Sequence, residues 1–540
     1  MGKPAAVSRD RMALTAPASP WRARVTLGAI VAVTALLRLR IAGMPLERDE
    51  GEYAYLGQLI LQGEWPYLAA HNMKLPGIYY AYAAILGVLG ETDVAIRVGL
   101  LVVNAATILL VAALARRFAG EAAALTAGAT YAALSLGTAM VGFTANAEHF
   151  VLLPAVTGLW LLAEQAPSRA RLLGAGLLLG LAVVMKQPGA FFVACGAAWI
   201  VAGGGPARRR AADLAVFGVG AAVPYAAVCL AMLAGGAFAP FWFWTVTYLR
   251  EYGSMIDAGT GLAELYRQLG GMLAASPLAW LLGAAGLAAL ATPELDRRAR
   301  LRVLSLLAAS AAAVAPGLRF TDHYFLLLLP ALSLVAGIGS AALVARARIR
   351  SPRAADALAL AVPALVFALA LVQDRATLLL RSPLESARAL YFPNPLAEAV
   401  EIAGEIARRT SPDERIAVIG SEPQIYFYAR RRAATSYLYM YPLMEPQPFA
   451  ARMQDELIAQ LEEARPRFLV LVNVDMSWSR RPDSSLKVLD WAAATVDAGY
   501  RQIGLVEMIP DGPSRSVWGD AAATATPRAQ SFVAVFERRP

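Results

Sequence analysis

The chain has 540 residues, of which 58% are hydrophobic and 16% charged, with a mean hydropathy of +0.50. Ordinary soluble domains carry about a quarter charged residues, so a cytosolic enzyme is excluded, and so is a disordered chain, whose mark is low hydrophobicity. The net charge of +9 would suit nucleic acid, but the arginines cluster between apolar stretches, so no nucleic-acid partner is expected.

Arg9, Arg11, Arg22 and Arg24 precede the first apolar stretch, 25–43. That stretch is longer than the core of a secretory signal and lacks a small-residue cleavage site, so 1–24 reads as a cytoplasmic segment before an uncleaved anchor. Further apolar stretches follow at 94–115, 121–140, 150–164, 172–186, 189–202, 214–234, 272–291, 303–317, 324–344 and 354–372. Together they predict an α-helical polytopic membrane protein with about eleven transmembrane helices in 25–372. Cys195 and Cys229 both lie within apolar runs, so neither staples a soluble domain, and no zinc spacing exists.

Charge sets the orientation. With the N-terminus cytoplasmic, inside segments hold about twenty Lys and Arg against about six in the outside loops. Counting the apolar residues 76–90 as a crossing would invert every later loop, so they read as a juxtamembrane or re-entrant helix. The outer loops are then 44–93, 141–149, 235–271 and 318–323. Residues 373–540 fall outside the cytoplasm, where helices over 396–409 and 449–464 and strands over 415–420, 468–473, 501–508 and 531–537 predict an α/β domain. No glycine-rich nucleotide-binding motif occurs there.

Ionisable residues collect at the outer face. The first loop carries Glu47-Arg48-Asp49-Glu50-Gly51-Glu52-Tyr53, whose crowded acids repel one another unless a cation or a function compensates. It continues through His71-Asn72-Met73-Lys74-Leu75-Pro76, where Lys74 reads equally as a snorkelling anchor or as a cation facing a phosphate. The second loop ends in Glu148-His149, a polar cap or a pair of ligands for a divalent cation. Lys186-Gln187-Pro188 and Arg319-Phe320-Thr321-Asp322-His323 bring further charge to the hydrocarbon edge, where a cation is usually functional or snorkelling. Phe241-Trp242-Phe243-Trp244, with Tyr248 and Tyr252, reads as an interfacial belt or as the wall of a donor groove.

These motifs resemble the GT-C superfamily of polyprenyl-phosphate-sugar-dependent glycosyltransferases, and within it the bacterial protein O-mannosyltransferase-like and aminoarabinose-transferase-like enzymes. The resemblance is carried by Arg48-Asp49-Glu50-Gly51-Glu52-Tyr53-Ala54, Gly63 with Trp65-Pro66-Tyr67, Lys74-Leu75-Pro76-Gly77, Arg97, Arg116-Arg117-Phe118-Ala119-Gly120, Ala147-Glu148-His149 and Met185-Lys186-Gln187-Pro188-Gly189. It covers roughly 25–345 in order and spacing. It implies inverting transfer of a sugar from a polyprenyl-phosphate-linked donor to a hydroxyl of an envelope glycan, lipid or protein, at the outer face of the cell membrane.

The same resemblance makes Asp49 the general base, with Glu50 beside it to orient a cation or the acceptor. Lys74, His71, Tyr53, Lys186, Arg319 and His323 are the candidate substrate-binding residues, and Glu148 with His149 the candidate metal ligands. No other cofactor is implied. The competing reading is a transporter or flippase of a lipid-linked substrate, which would show internal repeats and ionisable residues near the midplane; here polar residues gather at one face. The orientation predicts that a reporter fused after Asp413 is exported; a cytoplasmic reporter would mean that 76–90 crosses the membrane.

Overall fold

The computed structural model describes residues 20–292, 295–510 and 512–540, so most of the expected cytoplasmic segment 1–24 lies outside the described residues. Helices occupy every predicted apolar stretch. They begin with α1 (Pro20–Arg40), α2 (Arg48–Leu61), α3 (Gly77–Leu89), α4 (Asp93–Leu134), α5 (Ala147–Leu162), α6 (Arg169–Met185), α7 (Ala190–Ala202) and α8 (Ala207–Ala234). The bundle closes with Pro277–Leu290, Arg297–Val314, Leu329–Arg350 and Pro352–Gln373. Among the described residues four helices are long and apolar enough to cross a membrane, or five if the pair Ala258–Ala275 and Pro277–Leu290, bent by 103°, counts as one. The chain is a membrane protein.

The expected boundary between 94–115 and 121–140 is a break inside α4, where Ala119 leaves helical geometry and Gly120 adopts φ 79°. A left-handed residue at that corner favours glycine, which has no Cβ to clash. α3 spans 13 residues. At 1.5 Å per residue that is about 20 Å, short of the roughly 30 Å hydrocarbon core. α7 has the same length, so length does not separate the two; what marks α3 is that it lies against α2, with Ile78, Tyr79 and Tyr82 buried. Residues 235–271, expected as a loop, are largely helical: Phe238–Trp242, a π-helical turn Phe243–Tyr248, Leu249–Gly253 and Ala258–Ala275.

The tail forms one six-stranded sheet from β1 (Arg415–Ile419), β2 (Arg432–Ala433), β3 (Phe468–Asn473), β4 (Tyr500–Glu507), β5 (Arg515–Trp518) and β6 (Phe532–Arg538), in the order β2-β1-β3-β6-β4-β5. β1 pairs parallel with β2 and β3, whereas β6 runs antiparallel between β3 and β4. The predicted strands recur within two residues, as do the helices Leu396–Arg409 and Ala450–Ala464. β2, β5 and the helix Gln424–Ala429 are too short to announce themselves, whereas Lys487–Gly499, with Val488, Ala492 and Val496 on one face, is an amphipathic helix that was not among the predicted elements.

The tail does not hang free of the membrane bundle. One hydrophobic core runs from α2 and α3 through Phe241 and Trp244 into Ile416, Val418, Tyr426 and Leu457. α2 is buried on every side from Glu50 to Leu59. It begins with a reciprocal cap, Glu47 accepting from the backbone of Asp49 and Glu50 while Glu50 accepts from the Glu47 N–H. Its far face meets the tail: the Tyr55 hydroxyl accepts from the Ala433 N–H (2.7 Å), and the Tyr428 hydroxyl accepts from the Leu46 N–H (2.8 Å).

Contact this close depends on Gly51, where a Cβ would stand 2.5 Å from Gln424 Cβ and 2.8 Å from Gln424 Cα. In an unpacked helix Gly→Ala stabilises by about 1 kcal/mol. At position 51 the clash reverses the sign, since overpacking costs about 1–3 kcal/mol. Gly51→Ala is therefore expected to lower the thermal midpoint of the solubilised protein and to speed proteolysis between tail and bundle. A raised midpoint would show that the tail does not seat on α2.

Candidate active site

Lys74 is the centre of the charged cluster. Its backbone N–H donates to Asn72 Oδ1 (2.9 Å), and its carbonyl accepts from the Tyr67 hydroxyl (2.6 Å). So pinned, it aims its ammonium at Asp49 Oδ2 (3.0 Å) and Glu52 Oε2 (3.4 Å), over the ring of Tyr53 (4.6 Å). Glu52 is fully buried and also accepts from the Asn72 amide. Burial pushes its carboxyl up to about 7, against the pull of Lys74. Asp49 goes the other way: burial opposes its charge, but Lys74, His323 and Lys186 outweigh that and hold it well below the usual carboxylate range.

Both oxygens of Asp49 are engaged. Oδ2 takes Lys74 and the Tyr53 hydroxyl (3.3 Å), and Oδ1 accepts from the Tyr439 hydroxyl at 2.9 Å. Tyr439 belongs to the tail, so the two halves of the chain meet at this carboxylate.

Two cavities adjoin Lys74. The first, about 370 Å³, is the more polar of the two and lies beneath the tail, with Asp49, His71, Arg319, His323, Tyr439 and Glu445 in its wall. The second, about 280 Å³, is apolar and faces the bundle, lined by Phe191, Leu249, Ala313, Pro316 and Leu327, with the ion pair Glu148–Lys186 at its edge. Met73, Lys74, Tyr252 and Tyr324 line both. Larger hollows lie on the tail surface, such as one of about 930 Å³ beside Arg467 and Trp491, but the Arg467–Glu537 pair there is largely open to solvent, whereas the Lys74 ammonium is buried between its acids.

The remaining candidates divide. His71 stacks on Trp244 (5.1 Å) in the polar cavity, and burial pulls its imidazole down to about 4. Trp244 is thus a buried wall residue, whereas Trp242 is 45% exposed and suits the belt. Lys186 sits over the Tyr324 ring (4.2 Å) beside the apolar cavity. Arg319 lies flat on Tyr252 (3.8 Å) and pairs with Glu445 of the tail (2.9 Å), which also accepts from the Tyr248 hydroxyl (2.6 Å). His323 bonds Asp322 (3.3 Å) at the cavity rim.

Glu50 and the pair Glu148–His149 lie apart from this convergence. Glu50 is turned away from both cavities. It is wholly buried, pairs with Arg97 (2.7 Å) and accepts from the Ala145 N–H (2.5 Å), every contact being an N–H donor. Arg97 also holds the Phe143 carbonyl (2.7 Å), and Arg38 holds those of Ser135 (2.6 Å) and Gly142 (3.1 Å). Glu50 therefore anchors the 141–149 loop, and the cation it holds is Arg97. His149 is bonded through Nε2 to the Gly142 carbonyl (2.9 Å), while Glu148 is spent on Lys186. Successive helical residues point about 100° apart, so the two do not converge. Among the described residues no three His, Cys, Asp or Glu gather closely enough to hold a metal ion.

Sequence reasoning missed the tail's share of the site: Tyr439, Tyr441 and Glu445. The alternation Tyr437-Leu438-Tyr439-Met440-Tyr441 is the signal that marks a line of tyrosines on one face.

A family profile described as dolichyl-phosphate-mannose-protein mannosyltransferase matches residues 73–244, the segment that carries Lys74, Glu148, Lys186 and Trp244. Among solved structures, the chain is similar to ArnT from Cupriavidus metallidurans bound to undecaprenyl phosphate, with 15% identity, a TM-score of 0.59, and 96% of this chain and 98% of that one covered. It is also similar to the archaeal oligosaccharyltransferase AglB from Archaeoglobus fulgidus, in complex with an inhibitory peptide and a dolichol-phosphate, with 14% identity, a TM-score of 0.50, and 93% and 75% covered. The chain has the GT-C fold. No curated protein sequence matches it. The GT-C likeness to ArnT extends through the tail, since almost the whole of both chains superposes.

The separate duties of the adjacent acids are testable by stability alone. Glu50→Gln strands a buried guanidinium, a change that costs about 3–5 kcal/mol. Its thermal midpoint is expected to drop by many degrees, while that of Asp49→Asn, at a half-open cavity with Lys74 still paired to Glu52, stays near wild type. The reverse order would place Glu50 in the cavity.

Proposed function

We propose that the chain is an integral membrane glycosyltransferase. It moves a sugar from a polyprenyl-phosphate-linked donor to a hydroxyl of an envelope glycan, lipid or protein, with inversion, at the extracytoplasmic face of the cell membrane. The observation that carries this reading is Lys74 at the junction of an apolar and a polar cavity. A polyprenyl-phosphate sugar has the same three parts in the same order: a chain that needs a dry groove, a phosphate that needs a cation, and a sugar that needs polar walls. The profile match and the lipid phosphates bound by ArnT and AglB support the same donor class.

The chemistry follows from the charges. The acceptor oxygen attacks the anomeric carbon, the bond from that carbon to the phosphate oxygen breaks, and the acceptor proton passes to Asp49. Phosphate is a competent leaving group, so one carboxylate suffices. Lys74, with Lys186 and Arg319 nearby, stabilises the departing phosphate. As the phosphate draws the ammonium of Lys74 toward itself, Asp49 loses its strongest partner and becomes more basic.

Single-turnover transfer from a radiolabelled polyprenyl-phosphate sugar, with donor retention measured separately, tests these roles. Asp49→Asn is expected to lower transfer about 10²–10⁴-fold with donor retention intact. Lys74→Ala should weaken retention as well. The pH profile identifies the base. Asp49 is held ionised far into acid, so the rate should stay level as pH falls from 8 to 5. A rate that drops through pH 7 would assign the proton to Glu52, whose carboxyl lies at about 7.

A further inference from the structure

The hydroxyl of Tyr439 occupies the position on Asp49 that an acceptor hydroxyl needs. Lys74 and Tyr53 take Oδ2, which leaves Oδ1 as the free basic atom, and Tyr439 donates into it at 2.9 Å. Burial first, and the charge of Asp49 second, push this phenol well above its ordinary value, so it remains an O–H donor. The residue is 7% exposed, lines the polar cavity, and packs against Tyr441 with ring centres 5.3 Å apart. Tyr441 is itself fixed by Arg48 (2.8 Å), which pairs with Glu422 (2.5 Å).

Tyr439 lies in the stretch between β2 and the helical turn Tyr441–Met444, outside the sheet. That stretch is tied at both ends, by the His71 N–H to the Ser436 carbonyl (2.8 Å) and the Met440 N–H to Ser421 Oγ (2.9 Å). With the backbone seated, departure of the Tyr439 hydroxyl from Asp49 falls to side-chain rotation, for which the cavity it lines gives room.

We propose that Tyr439 is a specificity-determining residue that guards the base against water. This rests on the reading of Asp49 as the base. In the absence of acceptor the phenol fills Oδ1, and a water there would be activated in place of an acceptor. That water would attack the anomeric carbon, its proton would pass to Asp49, the bond from the anomeric carbon to the phosphate oxygen would break, and free sugar with polyprenyl phosphate would be released. Excluding water is the usual means by which an active site suppresses such hydrolysis. An acceptor hydroxyl displaces the phenol because it arrives with the binding energy of the rest of its molecule.

The test uses the full chain in detergent and, as probe, the lipid-linked sugar fraction of the source cells, metabolically labelled, with no acceptor added. Tyr439→Phe keeps the ring and removes only the hydroxyl. It is expected to release free sugar roughly five-fold faster than wild type or more, and to raise the ratio of free sugar to transferred sugar once membrane acceptor is supplied. That ratio is taken within each preparation, so partial misfolding cancels. If Tyr439→Phe matches wild type in both readouts while Asp49→Asn releases nothing, the guard is overturned and the base stands. Transfer lost without added hydrolysis would likewise overturn it, making Tyr439 a support for Asp49. If Asp49→Asn releases sugar as fast as wild type, the base assignment fails and the guard fails with it.

Discussion

A single ammonium held between two carboxylates organises the candidate site of this protein. Lys74 needs both Asp49 and Glu52, because a cation taken out of water beside hydrocarbon is costly unless paired. The pairing has unequal effects on its partners. Glu52, wholly buried, is left near neutrality, whereas Asp49, reached by three cations, is kept charged. An ionised carboxylate, a cation and the meeting of two cavities therefore coincide within one turn of α2 and one loop after it. Everything packed around α2 serves to hold that arrangement.

The tail is part of this arrangement. It supplies Tyr439 to Asp49, Glu445 to Arg319 and Glu422 to Arg48, and it shares a hydrophobic core with α2 and α3. α2 is amphipathic toward nothing, being buried on all sides, which is possible only because membrane bundle and tail enclose it together. Gly51 sets how closely they do so. On the opposite side Glu50, Arg97 and Arg38 fix the carbonyls of 135–143, so the second loop presents Glu148 toward the apolar cavity from a rigid seat.

Much of this was legible in the sequence. Apolar stretches located the helices, because hydrocarbon admits little else, and arginine placement was the argument that 76–90 does not cross. The tail's central strands were readable from their apolar runs. Asp49, Lys74, His71, Arg319 and His323 were all marked as site residues and share one cavity wall. What could not be read was direction. Asp49 and Glu50 are neighbours with the same chemistry, and only Arg97 and the backbone of Ala145, brought in from other elements, turn one inward. Glu148 and His149 looked like a ligand pair for the same reason, since adjacency in sequence says nothing of a 100° rotation between side chains. The tail's tyrosines stand in a visible alternation, but their role could not be read because it depends on contacts across some 390 positions of sequence.

The central claim is that Lys74 binds the phosphate of an amphiphile whose chain lies in the apolar cavity and whose head lies in the polar one. An experimental structure of the full chain with a bound polyprenyl phosphate tests it most directly. The account predicts phosphate oxygens within about 3 Å of the Lys74 ammonium, the first isoprene units running past Phe191 and Leu327, and Asp49 facing the open side of the phosphate. A phosphate held elsewhere, with Lys74 still closed on Asp49 and Glu52, would contradict it.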